Sequence, residues 1–147
     1  MSPEDIISLL PYSDPFLFVD SISEINENSV TGKHTFHKDD FFYNGHFKDN
    51  PITPGVILIE VMGQIGLVCL GIYLLKDKLN ENRSPKIALV SSQVDFFLPV
   101  YPGETVTVVS QKVYFRFGKL KCNVEMKNEK GGVICRGSIS GMLTDKF

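Results

Sequence analysis

The chain of 147 residues has little that points to export, to disulfide chemistry or to nucleic acid. Its three cysteines, Cys69, Cys122 and Cys135, are odd in number, far apart and without a CxxC pair. That pattern argues against a disulfide framework and reads as reduced, mostly buried small hydrophobes in a cytoplasmic protein. Positive charge is not in excess: 15 Lys and Arg stand against 17 Asp and Glu, for a net charge of −2. No basic field is therefore available to hold a phosphate backbone, and nucleic acid is not an expected partner. The start, MSPEDIISLL, carries acids where a secretory signal needs basic residues, and no export signal is expected. There is also no phosphate-binding loop, nucleophile elbow, nucleotide fingerprint, internal repeat or low-complexity tract.

What the chain does have is enough apolar sequence, 43% of residues, to bury one core, so a single domain over 1–147 is expected. Charge is scarcest between Asp49 and Lys76, where Glu60 is the one charged residue in 26. That length would suit a membrane span. Pro51 and Pro54, however, confine the helix to about residues 54–75, and Glu60 and Gln64 would then sit inside hydrocarbon. A buried central helix, with no membrane span, accounts better for both.

Around that helix the pattern is strand-like. Ser2, Pro3 and Asp5 form a capping-box start for a short helix that Pro11 ends. PFLFVDSISEI and NSVTGKHTF read as a hairpin turning near Asn26 to Asn28, and DDFFYNGHFKDNP as a loop. The apolar helix runs into the polar connector KDKLNENRSP. Then come PKIALVSSQVDFFLPV, ETVTVVSQKVYFRF, KLKCNVEMK and VICRGSISGML, with turns at YPG and NEKGG. In KLKCNVEMK, Leu120, Cys122, Val124 and Met126 alternate with polar residues, so one face is core and the other water. A helix apolar on nearly every side must be surrounded, and a curved antiparallel sheet wrapped around it is the simplest surround, an α+β architecture.

Glu60 is the residue that needs explaining, because a carboxylate in a buried helix is costly unless it is neutral, paired or kept for a purpose. Gln64, at i+4 on the same face, can orient it. Satisfied in this way at a subunit interface, Glu60 would be purely structural. His46 precedes it by 14 residues in a loop, where a histidine by itself is ordinary. Between them, Pro51 and Pro54 set the chain direction, and Gly55 opens a helix start whose free N–H groups favour negative charge. A base, an acid and an anion site in one segment suit β-elimination of water from a 3-hydroxyacyl thioester. His takes the proton beside the carbonyl, N–H donors hold the enolate oxygen, and a Glu of raised pKa protonates the leaving hydroxyl.

The run GHFKDNPITPGVILIEVMGQIG resembles the GHFPxxPxxPGVxxxEAMAQ signature of 3-hydroxyacyl-(acyl carrier protein) dehydratases, the FabZ-like hot-dog proteins. The likeness extends to LLPYSDPFLFVD, VDFFLPVYPGE and GGVICRGSI, and so covers most of the chain. It implies a hot-dog fold and His46 and Glu60 as the catalytic pair. Gly55, Gln64, Val56 and Phe47 are implied as substrate-side residues, with the Gly55 amide on the thioester carbonyl and Gln64 supporting the acid. No cofactor or metal is implied. The partners implied are an acyl carrier protein and a second copy of the chain, whose His meets the Glu of the first, as a homodimer or a trimer of dimers. Glu rather than Asp at position 60 favours dehydration without isomerisation. An acyl thioesterase, with Glu60 activating water, and a non-catalytic acyl-binding homologue are the alternatives.

The chain departs from the signature at several points. Lys48 replaces a proline, Thr53 a Met or Phe, Tyr12-Ser13-Asp14 a His-Arg-aromatic run, and Phe97-Leu98 a basic pair. The departures suggest a divergent member, suited to fatty-acid or polyene (pigment-type) synthesis. Arg116, Lys119 and Lys121 gather around one turn, as a modest carrier-docking patch or as a solvated strand face. His34 and His37 point to opposite faces of a strand, so they do not share a metal.

Overall fold

The computed structural model describes residues 1–79 and 85–144. Helix α1, Pro3–Ser8, begins with the expected capping box. Asp5 N–H donates to Ser2 Oγ at 3.1 Å, and Ser2 N–H donates to an Asp5 carboxylate oxygen at 2.9 Å. It ends at Ser8, ahead of Pro11.

Six strands follow: β1 Ser21–Ile25, β2 Ser29–Thr35, β3 Lys86–Phe96, β4 Thr105–Arg116, β5 Lys119–Lys127 and β6 Val133–Thr144. They form one antiparallel sheet in the order β1-β2-β4-β5-β6-β3. The alternation read in β5 is present, with Leu120, Cys122, Val124 and Met126 all buried. The polar connector before β3 lies partly outside the described residues.

Helix α2 runs Gly55–Leu74. It is α-helical over Gly55–Gly63, widens to a π turn over Gln64–Cys69 and is α-helical again over Leu70–Leu74. It is long and apolar enough to cross a bilayer, yet most of its surface is buried inside this chain. Val61, Met62, Ile65, Leu67, Leu70 and Ile72 join Val106, Val108, Leu120, Met126 and Ile139 of the sheet in one core. The helix comes close to β4 at Gly66, where an added Cβ would lie 3.1 Å from Ser110 Cβ. There Ser110 Oγ–H donates to the Gly66 carbonyl at 3.0 Å, so the buried hydroxyl is satisfied. This is the expected α+β arrangement, a sheet around a central apolar helix.

Two local expectations are corrected. The strand predicted from Pro15 starts only at Ser21, because Phe16 and Phe18 give their backbone polar groups to a side chain of α2. The loop predicted before His46 contains a 3-10 turn, Phe41–Asn44, that buries Phe42 and Tyr43 against the core.

Candidate active site

Glu60 lies half-buried in the second turn of α2. Gln64, one turn on and fully buried, donates from Nε2 to Glu60 Oε2 at 3.0 Å. The other Nε2 hydrogen goes to the Phe16 carbonyl at 3.0 Å, and Gln64 Oε1 accepts Phe18 N–H at 2.8 Å. Burial raises the Glu60 pKa above the ordinary carboxylate range, and the Gln64 hydrogen bond offsets part of that rise. Tyr12 is close enough for the Glu60 charge to add to the upward shift that burial imposes on its phenol. Gln64 was expected on the substrate side. With no exposed surface it cannot touch a ligand, and its contacts are with Glu60 and with the backbone of residues 16–18.

His46 is held by backbone rather than by a side chain. Its Nδ1 lies 2.8 Å from the Ile52 carbonyl oxygen, which can only accept, so Nδ1 is the donor and in the neutral imidazole Nε2 keeps its lone pair. Ile52 N–H donates back to the His46 carbonyl at 2.9 Å, and His46 N–H to the Phe42 carbonyl at 3.2 Å. Phe47, 52% exposed, lays its ring against the imidazole with centroids 3.7 Å apart. Lys48 and Asp49 form the centre of a turn closed by Asn50 N–H on the Phe47 carbonyl at 3.0 Å, with Asp49 at φ 62°. The turn therefore forms without the proline of the signature.

The start of α2 lies between these residues along the chain. Pro54 is its N-cap, and Gly55 and Val56 supply N–H groups without an acceptor inside the helix. Val56 is 73% exposed. An added Cβ at Gly55 would lie 3.3 Å from the Phe96 ring, so any larger residue there would crowd the ring against the helix start. Phe96 is a wall of the site that sequence reading missed. Its only signal was that it directly precedes the noted Phe97-Leu98. Glu60 lies about 7.5 Å along the axis from Gly55. Within the chain no hydrogen bond joins His46 to Glu60: the imidazole is bonded to Ile52, the carboxylate to Gln64. His34 and His37 lie outside the site. His34 is buried with Nδ1 3.3 Å from Asp20 Oδ1, while His37 is exposed.

A family model for the FabA-like domain matches residues 10–139. The 3-hydroxyacyl-[acyl-carrier-protein] dehydratase FabZ of Clostridium perfringens is 32% identical over 143 residues, covering 95% of this chain and 96% of that enzyme. The FabZ of Anaplasma marginale is 33% identical over 129 residues, 86% of this chain and 87% of that one. The bifunctional LpxC/FabZ enzyme of Chlorobaculum tepidum is 33% identical over 144 residues, but the chain spans only 29% of its length. Among solved structures, the dehydratase heterocomplex ApeI:P of Xenorhabdus doucetiae has a TM-score of 0.80 at 16% identity, covering 99% of this chain and 93% of that one. The thioesterase HI1161 of Haemophilus influenzae has a TM-score of 0.69 at 14% identity, covering 98% and 91%. At those identities the structures establish the hot-dog fold.

Proposed function

The chain belongs to the FabA-like domain family, and from that premise we propose that it dehydrates (3R)-3-hydroxyacyl thioesters on an acyl carrier protein to trans-2-enoyl thioesters. One observation carries the assignment of roles: the Nδ1 proton of His46 is tied to the Ile52 carbonyl, which aims a bare Nε2 outward as a base. Nε2 takes the C2 proton, and the electron pair forms the C2–C3 double bond. The C3–O bond breaks as Glu60 protonates the departing hydroxyl, releasing water. Burial, by raising its pKa, supports a protonated Glu60. The Gly55 and Val56 amides stand where the thioester oxygen gains charge, an interaction of about 3 kcal/mol. Val56 and Phe47 supply exposed apolar surface for the acyl chain.

The site is completed, in this reading, by a second copy. His46 and Glu60 share no bond within one chain. Strand β3, at one edge of the sheet among the described residues, exposes Leu89 and Val90, with Phe96, Phe97 and Leu98 at its end. Unpaired apolar edges of this kind are covered in stable proteins. Carrier docking is supported by the β4–β5 hairpin, where Lys112, Arg116, Lys119 and Lys121 occur in a stretch, 105–124, without an acid.

The test is a crotonyl thioester offered to the purified protein. Loss of enoyl absorbance by hydration, without free thiol, is expected. Release of thiol would instead establish a thioesterase. Mixing inactive His46→Ala and Glu60→Gln subunits is expected to restore about a quarter of wild-type activity, since half the dimers are mixed and each has one intact site. No recovery on subunit exchange would overturn the shared site.

A further inference from the structure

We propose that Tyr43 and Thr53 are a positioning pair for His46, a pair of hydroxyls that closes the His46 loop and fixes the carbonyl to which the imidazole is bonded. The proposal rests on the reading of His46 as the base. Tyr43 is 7% exposed and Thr53 4%, and their hydroxyl oxygens lie 2.6 Å apart, a short O–H···O bond. The bond spans the loop from its first turn to the residue before the N-cap of α2. Inside it, Ile52 accepts the Nδ1 proton of His46 and donates its own N–H to the His46 carbonyl. Thr53 is also tied by its N–H to the Val100 carbonyl at 2.9 Å. One anchored residue thus sits directly after the carbonyl that sets the imidazole tautomer and directly before Pro54, the N-cap of α2. Any shift of Thr53 moves both the base and the helix start.

The two residues depend on one another. A buried hydroxyl without a partner loses its hydration and gains nothing in return, so Tyr43 beside an apolar residue 53, or Thr53 beside a phenylalanine, would each be orphaned. Where the dehydratase signature has Met or Phe at this position, this chain has Thr, and the matching phenol lies across from it. Burial, with Asp40 and Glu104 nearby, pushes the Tyr43 phenol up to about 12, against a partial lowering by Thr53. The pair therefore stays a neutral hydrogen bond throughout the working pH range and is not itself the base.

The experiment compares Tyr43→Phe, Thr53→Val, the double variant and Thr53→Ser in two readouts: thioester turnover, and the ring-nitrogen resonances of His46 in protein carrying 15N-histidine. Each apolar single variant is expected to lower kcat about tenfold with KM within about twofold, because a small misplacement of a base costs rate rather than binding. Its His46 resonances should move from one Nδ1–H tautomer to an averaged mixture. Thr53→Ser, which keeps the hydroxyl, should stay within about twofold of wild type. The double variant should be no worse than either single, since no hydroxyl is then orphaned. Single variants with a lower Tm but unchanged kcat and tautomer would overturn the proposal and leave the pair merely structural. If wild type shows no turnover, the reading of function fails, while the nitrogen resonances still decide the positioning.

Discussion

Glu60 stands on a buried helix, its carboxyl held by an amide whose other bonds reach into the core. His46 hangs in a mostly exposed loop and is held by one carbonyl six residues away. The two sides of the site therefore differ in what disturbs them. On the Glu60 side, position and stability are coupled, because Gln64 serves both Glu60 and the backbone of residues 16–18. On the His46 side they are separable, because the loop buries little beyond Phe42, Tyr43 and Thr53.

The largest break in this comparison is His46→Ala. It is expected to lower kcat/KM by about 10³–10⁴ while shifting Tm by less than about 2 °C, as measured by enoyl absorbance and a thermal melt. Comparable loss of stability would erase the contrast between the two sides. Gln64→Ala comes next. It should lower kcat about 10–100-fold and stability by about 3 kcal/mol, since Phe18 N–H and the Phe16 carbonyl lose their partner. Because the Gln64 bond lowers the Glu60 pKa, its removal should move the limb of the rate profile set by Glu60 to higher pH. A limb that stays in place would separate Glu60 from that titration.

Glu60→Gln sharpens the comparison, since it should remove turnover yet stabilise the fold. The Glu60 pKa is raised in the folded chain, so the folded state holds this proton more tightly than the unfolded one. Its favourable contribution is complete below the ordinary carboxylate value and is lost as pH rises through the raised value. The uncharged variant should therefore melt roughly 2–5 °C higher at pH 8, and the difference should vanish near pH 4. The smallest effect expected is that of Lys48→Pro. Lys48 precedes the left-handed Asp49 in an exposed turn, a position that accepts proline, so a gain of about 0.5 kcal/mol with turnover within about twofold is expected.

Sequence reading reached the features that depend on local spacing. The capping box of α1, the alternation of β5 and the i, i+4 relation of Glu60 to Gln64 are all dictated by neighbours on one element. It overextended the first strand because the alternating Phe16 and Phe18 look like sheet, whereas their backbone groups serve Gln64, far along the chain. The π turn left no trace in composition. Tyr43, Thr53 and Phe96 escaped notice as partners for the same reason: each acquires its role from a residue that only the fold brings near. The His46 tautomer was equally hidden, since it depends on where one backbone carbonyl comes to rest.

Both hydrogens of the Gln64 amide are in use, and the amide cannot be turned over. Reversal would set its oxygen against the Phe16 carbonyl and the Glu60 carboxylate, and its hydrogens against Phe18 N–H. It therefore always presents a donor to Oε2 of Glu60, and an oxygen already accepting an N–H is the poorer seat for a proton. The two oxygens of the acid are thus chemically distinct: Oε2 is the fixed carbonyl end, and Oε1 is the one that carries and delivers hydrogen. In the proposed reaction run backwards, the proton of water would be accepted on Oε1 alone, a choice made by an amide that never meets the substrate.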